Sequence, residues 1–432
     1  MDETRQFDVR EDRLTADWEM LSTFRDASAP GWTRRPFTPE YAAARAWLRA
    51  RMEAAGLRTE LDAGANLIGR RPGMRRELPP IVLGSHIDTV AGGGRFDGMV
   101  GVLAAVEVAR CLDEAGIRLA HDLEVVDFLA EEPTDFGVST VGSRAIAGAL
   151  DADMLARRDA QGRTLAEAIA SAGGRPNEIA ALRREMGAVA AYLELHVEQG
   201  PALEAEGLRV GIVTGITGIA RYRVELTGRP DHAGTTPMAT RRDAFAGAAE
   251  VALALEALWQ DGKGVGTVGR ATVEPNATNV VPGLVELWAE MRSVDGPVLA
   301  ERRDRFAVMV REMAARRGLG LELGLVSSEE PVPVGARMQA LLEESLTELG
   351  LPIRRLPSFA GHDGNQLAKV GPIGMLFVPS KDGRSHCPEE WTDLADVALG
   401  AQALGAALLH LDARLDAGDG HGLEEAAHAS DS

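Results

Sequence analysis

The sequence predicts an α/β protein: a mostly parallel sheet flanked by helices, interrupted by an inserted ferredoxin-like βαββαβ domain. Two observations lead there. Short, continuously apolar runs alternate with segments of helical periodicity on either side of the middle of the chain, as strands buried on both faces and their crossover helices do. Between them, residues 214–328 change character, because apolar and charged residues alternate there with a period of two. At 432 residues the chain is two-domain sized. The expected division is residues 1–213 plus 329–415 as one domain, 214–328 as the insertion, and 416–432 as a disordered tail.

Each element has its own signal. Leu14, Trp18, Leu21 and Phe24 recur at helical spacing and give a first amphipathic helix. Thr38 as N-cap and Pro39 at the first helical position open a second, whose stripe of Ala44, Trp47, Leu48, Met52 and Ala55 ends at Gly56. Strands are expected at 66–69, 81–83 and 123–129, with a helix from 98 to about 115 before the last of these. A helical stretch over about 164–186 precedes a strand at 190–195.

In the insertion, Tyr222, Val224 and Leu226 alternate with Arg221, Arg223 and Glu225, and Val285, Leu287, Ala289 and Met291 alternate with Glu286, Trp288, Glu290 and Arg292. Helices at 243–259 and 297–317 and strands at 265–273 and 319–325 complete the βαββαβ order. The first pattern resumes with a helix at 338–349, a strand at 373–378 and a helix at 392–411.

Four strands of the first pattern deliver ligand-type residues just past their carboxyl ends, where ligands collect in open α/β sheets. The run 81–83 leads to His86 and Asp88. Their spacing puts both side chains on one face, so that His86 can offer a nitrogen to a metal while Asp88 accepts the other ring N–H. The glycines at 92–94 let the chain bring Asp97 back beside His86.

Strand 123–129 runs into Glu131-Glu132-Pro133, and adjacent glutamates share one site only where the chain turns, which Pro133 favours. Strand 190–195 ends at His196, and His386 follows strand 373–378. Taken singly, each of these ends also reads as a polar turn or a satisfied core histidine. Together, imidazoles and carboxylates suit zinc or another divalent first-row metal. A bridging Asp97 would hold two ions about 3.5–4 Å apart, the spacing used for metal-assisted hydrolysis.

Composition narrows the partners. A formal net charge of −19 repels nucleic acid and anionic lipid. The sequence shows neither a cationic, apolar leader nor a run of about eighteen apolar residues, so the expectation is a cytoplasmic chain with no membrane span. Only two cysteines occur, Cys111 and Cys387, which argues against a disulfide framework and against cysteine-bound zinc. The expected partner is a small molecule.

The segments GSHIDTV, GGGRFDG, AEEPTDFG, LELHVEQGP, GRPDHAGTTPM, NATNVVPG, AGHDG and VPSKDGRSH occur in the order found in a known family. The chain resembles the hydantoinase/carbamoylase amidases, which include N-carbamoyl-L-amino acid hydrolases, β-ureidopropionases and allantoate amidohydrolases. These belong to the aminoacylase/carboxypeptidase superfamily of dinuclear metal hydrolases. The likeness runs from about residue 10 to about residue 412.

By position, the resemblance implies His86, Asp97, Glu132, His196 and His386 as metal ligands with Asp97 bridging, Glu131 as general base, and Asp88 as the carboxylate behind the ligands. It implies that residues 1–213 plus 329–415 carry the dinuclear centre and that the insertion serves as lid and dimerisation domain. His232 would reach into the partner subunit's site of a homodimer to stabilise the oxyanion. Gln199, Asn279 and Arg292 would bind substrate, with Arg292 gripping a carboxylate through two parallel bonds, while Gly361 and His362 line the site.

Two divalent ions per subunit are implied, Zn2+ ahead of Mn2+, Co2+ or Ni2+. The implied reaction is hydrolysis of a linear amide C–N bond in an N-carbamoyl-L-amino acid or related ureido acid, by metal-bound hydroxide with Glu131 as base. Allantoate or ureidoglycine-type hydrolysis is the alternative. Aminoacylase or dipeptidase activity is more distant, because His196 stands where many peptidase relatives place an acid. Two residues depart from the family pattern: Phe359 replaces a common glycine, and Arg384 occupies a position often small or aliphatic.

Overall fold

The computed structural model describes residues 8–418. They divide into two compact units: one takes the chain up to Thr214, Val334–Leu356 and the chain from His362 onward, and the other takes Gly215–Pro333 and Pro357–Gly361. The strands in chain order are β1 (Arg58–Leu61), β2 (Leu67–Arg71), β3 (Ile81–Ser85), β4 (Leu123–Asp127), β5 (Ala191–Val197), β6 (Gly211–Ile216), β7 (Gly218–Thr227), β8 (Val265–Glu274), β9 (Leu284–Ser293), β10 (Gly320–Glu329), β11 (Val332–Pro333), β12 (Arg355–Ser358) and β13 (Ile373–Val378).

The first unit is built on a sheet in the order β1-β2-β4-β3-β5-β13-β6. Its middle, β4-β3-β5-β13, is parallel throughout, and β2 and β6 flank it antiparallel. Every residue of these four strands is buried, which explains the unbroken apolar runs of Ile81–Leu83 and β13, while β4 and β5 also bury Glu124, Asp127, Glu194 and His196. Parallel strands end on the same side, so four consecutive carboxyl ends open onto one edge of the sheet. The helix Met99–Glu114 follows β3 and lies against β3, β4 and β5, with Val102, Leu103, Val106 and Leu112 buried.

Thr38 caps the helix Pro39–Ala54 by accepting the Tyr41 N–H, as expected of a threonine before proline. The final helix, Leu394–Asp416, packs on Met99–Glu114, on Ala336–Glu348 and on β13 and β5. An 18-residue window of it has mean hydropathy 1.5, enough by length and composition to cross a bilayer, although Gln402 and His410 interrupt it, so that it is not an unbroken apolar run. Leu404, Leu408 and Leu411 are buried against its neighbours, and its apolarity is that of a core helix.

The second unit is a four-stranded antiparallel sheet, β10-β7-β9-β8, with the helices Ala244–Leu258 and Gly296–Arg317 packed against it in βαββαβ order. Along β9 buried and half-buried residues alternate, and Val285, Leu287, Ala289 and Met291 face Val251, Leu255, Phe306 and Val310 in one apolar core.

The structure differs from the sequence reading in three places. The helix expected over 164–186 is broken into Leu165–Ser171, a 3-10 turn at Pro176–Glu178 and Ile179–Leu182. Gly173 stands at φ +92° and Pro176 cannot continue the preceding helix. The short strands β1, β6, β11 and β12 were not anticipated, because two to six residues beside a turn carry too little periodicity. The chain expected as tail from residue 416 is helical to Asp416, and residues 419–432 lie outside the described residues.

Candidate metal centre

The four parallel strand ends carry the candidate ligands. His86 follows β3, its ring Nδ1 lies 3.0 Å from the carbonyl of Asp88, and its Nε2 faces Asp97 at 3.8 Å and Glu131 at 3.7 Å. His196 ends β5, with Nδ1 2.9 Å from the carbonyl of Val197 and Nε2 3.2 Å from Asp97 Oδ1. In both rings the Nδ1 proton is taken by a backbone carbonyl, so the Nε2 lone pair points at carboxylate oxygen. After β13, His386 places Nε2 3.0 Å from Asp97 Oδ2 and 3.3 Å from Glu132 Oε1.

Asp97 is therefore common to two groups. His86 and His196 stand on its Oδ1 side, and His386 and Glu132 stand on its Oδ2 side, with the potential ligand atoms of each group within 4.8 Å of one another. A third group, Glu194, His196 and His362, adjoins them. His196 Nε2 is fully buried and lacks a hydrogen-bond partner among the described residues. A lone pair facing a carboxylate at that distance calls for a cation between them, and the donor set of imidazoles and carboxylates fits a divalent first-row metal.

The loops achieve this with backbone strain. Ala130 (φ +52°), Gln199 (φ +58°) and His386 (φ +56°) are left-handed residues, one in each loop after β4, β5 and β13. Each such residue costs about 1–3 kcal/mol and persists only where its surroundings hold it. The turn that brings Glu131 and Glu132 to one place is made at Ala130, ahead of Pro133. The amide N–H groups of Thr140, Val141 and Gly142 bind the carbonyls of Glu131, Ala130 and Leu129, which keeps the turn in place. Gly98 is at φ +68°, and a Cβ there would lie 2.4 Å from His86 Nε2.

Asp88 corrects one expectation. Its carboxylate stands 3.6 Å from His86 Nδ1, while its two oxygens accept the backbone N–H groups of Glu131 (3.2 Å) and Glu132 (3.1 Å). Residues at the turn after β4 present free N–H groups, and a buried carboxylate satisfies two of them at once; the ring proton goes to the Asp88 carbonyl instead. Gln199, expected at the substrate, donates through Nε2 to Asp97 Oδ2 at 2.9 Å and to Ser385 Oγ at 3.3 Å. His362 packs its ring edge-on against His196, centroids 4.5 Å apart. Arg384 is half exposed and pairs with Glu389 at 3.0 Å.

The electrostatics follow from crowding acids and imidazoles together, most of them buried and His386 half exposed. Burial raises the Glu131 carboxyl well above the usual range. Burial opposes charge on Asp97 as well, but contacts with His196 and His386 outweigh it and hold the carboxyl well below its usual range. Asp97 and Glu132 push the His386 imidazole up to about 11. The same field that attracts a proton to these rings attracts a metal cation.

Three acids escaped the sequence reading. Asp127 (0 % exposed) ends β4, bonds Arg45 Nε at 2.6 Å and accepts the Ile87 N–H, so it anchors the loop that carries His86 and Asp88. Asp363, pushed up to about 8 by burial, accepts from Ser143 Oγ at 2.5 Å. Glu390 binds the amides of Phe96 and Asp97. Nothing in periodicity marks such residues, and an acid a few places from a ligand-type residue is too common to stand out.

His232, Asn279, Arg292 and Gly361 stand on the second unit. His232 and Val280 form a bridge and the Ala233 N–H donates to the Asn279 carbonyl at 2.9 Å, so the DHAG and NATN turns are neighbours. Arg292, on the charged face of β9, donates to Glu290 (2.7 Å) and to the carbonyl of Phe359 (2.7 Å).

A family model described as Peptidase family M20/M25/M40 matches residues 82–410. The N-carbamoyl-L-amino-acid amidohydrolase of Paenarthrobacter aurescens is 40% identical over 405 residues, which are 93% of this chain and 98% of that one. The ureidoglycolate hydrolase of Arabidopsis thaliana is 36% identical over 405 residues, 90% of this chain and 84% of its own. A solved amidase of the hydantoinase/carbamoylase family from Burkholderia multivorans superposes with a TM-score of 0.83 at 34% identity, covering 94% of this chain and 98% of that one. With its parallel strand ends, its shared aspartate and relatives matched over nearly their whole length, the chain belongs to Peptidase family M20/M25/M40, among the hydantoinase/carbamoylase-type amidases.

Proposed function

We propose that this protein is a dinuclear-metal amidohydrolase that cleaves the linear amide C–N bond of an N-carbamoyl-L-amino acid or a related ureido acid. The observation that carries the reading is the pair of ligand groups sharing the two oxygens of Asp97, with the buried Glu131 carboxyl beside them. In it, His86, Asp97 and His196 would hold one ion, and Asp97, Glu132 and His386 the other. Bound divalent ions, Zn2+ ahead of Mn2+, Co2+ or Ni2+, supply Lewis acidity and lower the pKa of water.

Glu131 takes the proton of the attacking water and returns it to the leaving nitrogen; the burial that raises its proton affinity suits a group that must do both near neutral pH. Asp88 keeps Glu131 and Glu132 in place through their amides.

The inserted unit supplies recognition. His232 Nδ1 accepts the N–H groups of Gly234 (3.0 Å) and Thr235 (3.2 Å), so the ring proton sits on Nε2, a donor suited to a developing oxyanion. In this reading it acts in the partner subunit's site of a homodimer. Arg292 has Nε and Nη1 engaged, and among the described residues no acceptor stands at Nη2, which is left for a substrate carboxylate. Gln199 and Asn279 bind the ureido group, and Gly361 and His362 line the site. A cytoplasmic setting suits a free amino acid derivative as substrate.

A ureido acid of the allantoate or ureidoglycolate kind is the second reading, favoured by the activity named for the Arabidopsis relative. Zn2+-loaded protein assayed on N-carbamoyl-L-methionine, allantoate, ureidoglycolate and N-acetyl-L-methionine separates the readings. Chelator-sensitive release from at least one of the first three is expected, and hydrolysis of the acetyl compound alone would sink the proposal. Glu131→Gln is expected to keep its metal and lose about 10²–10⁴-fold in kcat. Turnover at the wild-type rate would remove Glu131 from its role.

A further inference from the structure

Of the three loops that carry the ligands on the Oδ2 side of Asp97, two are residues 92–98, which bear Asp97 itself, and residues 379–393, which bear His386. One buried side chain joins them. Glu390 is 2 % exposed, and its Oε1 accepts the N–H of Phe96 at 2.7 Å and of Asp97 at 3.0 Å, while its Oε2 lies 2.7 Å from Ser385 Oγ. The join is reinforced by its neighbour, because Trp391 meets Phe96 edge-on at 5.4 Å and lies 5.5 Å from the Arg95 guanidinium, which also stacks 3.9 Å over Trp18. Gly94 makes room for it: a Cβ there would lie 2.4 Å from both Cβ and Oε1 of Glu390.

Ser385 has one hydroxyl proton and two carboxylates in reach, Glu390 Oε2 at 2.7 Å and Asp97 Oδ2 at 3.2 Å. Gln199 Nε2 already donates to Asp97 Oδ2 and approaches Ser385 Oγ. A hydroxyl that accepts from Gln199 and donates to Glu390 leaves a lone pair of Asp97 Oδ2 open towards His386 and Glu132.

We infer that Glu390 is a positioning residue for the metal pair. Through Oε1 it fixes the backbone that carries Asp97. Through Oε2 it draws the Ser385 proton away from Asp97 Oδ2, so that this oxygen is available to the ion held with Glu132 and His386. The inference rests on the metal assignment proposed above and adds a residue with no ligand role of its own.

Calorimetric titration of the metal-stripped full chain with Zn2+, against a competing chelator, tests it. Glu390→Gln keeps a carbonyl oxygen for both amides but puts an N–H donor where Oε2 was, so Ser385 must turn its proton to Asp97. The variant is expected to bind one of two ions about 10–100-fold more weakly, the usual cost of losing a partner behind the ligands. Adding Ser385→Ala removes the redirected proton and is expected to recover most of that loss.

A role confined to holding the loops predicts wild-type affinity for Glu390→Gln and no recovery by Ser385→Ala; either result overturns the inference. Glu390→Asp, which keeps the charge but retracts it from both loops, is the second variant should the first not fold. Weakened binding of the same ion is expected, and unchanged binding overturns the inference. Wild-type protein that binds no Zn2+ would overturn the metal assignment itself, whereas two ions bound equally well by wild type and Glu390→Gln would overturn only the role of Glu390.

Discussion

The two sheets of this chain handle charge in opposite ways. In the first unit β3, β4, β5 and β13 are buried residue by residue, and apart from the buried Glu124 and Glu194 the charged groups stand at the strand ends, where His86, Asp88, Glu131, Glu132, His196 and His386 collect. In the second unit β9 buries one face and gives the other to Glu286, Trp288, Glu290 and Arg292, with Arg221 and Arg223 beside them on β7. A sheet covered on both faces concentrates its chemistry into a few strained loops, where all but His386 of these groups are largely buried. A sheet covered on one face spreads its charges into pairs that water and salt can screen.

Two arginines put that contrast to the test. Arg45 is buried against Asp127 at 2.6 Å, with further bonds to the carbonyls of Asp127 and Ala65. Arg45→Met should destabilise the protein by about 3–5 kcal/mol, since a buried carboxylate loses its cation. A denaturant midpoint close to wild type would show that the strand-end network does not carry the energy assigned to it.

Asp412 is the intermediate case. Burial disfavours its charge, but the His121 ring and the amides of His121 and Ala120 outweigh that and lower its pKa. A lowered folded-state value means stabilisation that is present above the unfolded pKa of about 3.9 and is lost as pH falls through the folded value. Asp412→Asn should therefore cost about 1.5–3 kcal/mol at pH 7. Its unfolding curve should converge on that of wild type in acid, and a gap that persists undiminished at low pH would contradict the assignment.

On the charged face of the second unit the effects should be smallest in stability. Arg221 and Glu290 pair at 2.6 Å with side chains 37% and 29% exposed. Arg221→Met should change stability by no more than about 1 kcal/mol. Arg292→Ala should leave the melting temperature nearly as little changed, yet raise KM for carboxylate substrates about tenfold or more, the worth of a hydrogen bond to a charged group. An unchanged KM would take Arg292 out of substrate binding.

Much of this was legible in the sequence. The aliphatic runs that become β3 and β13, the largely apolar stretches that become β4 and β5, the Thr38-Pro39 helix start and the alternation along β7 and β9 are local signals, because burial imposes a period on a strand or helix wherever it packs. The ligand-type residues could be picked out because each follows such a run. What the sequence missed is also physical. Asp127 and Glu390 act on backbone N–H groups of loops 40 and roughly 290 residues away in the chain, and a backbone N–H looks the same in every residue.

Residue order alone determined which segments are buried, which alternate, and which side chains of metal-binding type stand at strand ends. Only the tertiary structure decided that Asp97 turns one oxygen to His86 and His196 and the other to His386, and that Asp88 holds two amides where a ring proton was expected. The first set is fixed by short-range periodicity in the exclusion of water. The second depends on where parallel strands far apart in the chain come to lie side by side, and on left-handed turns at Ala130, Gln199 and His386 that only packed surroundings can hold.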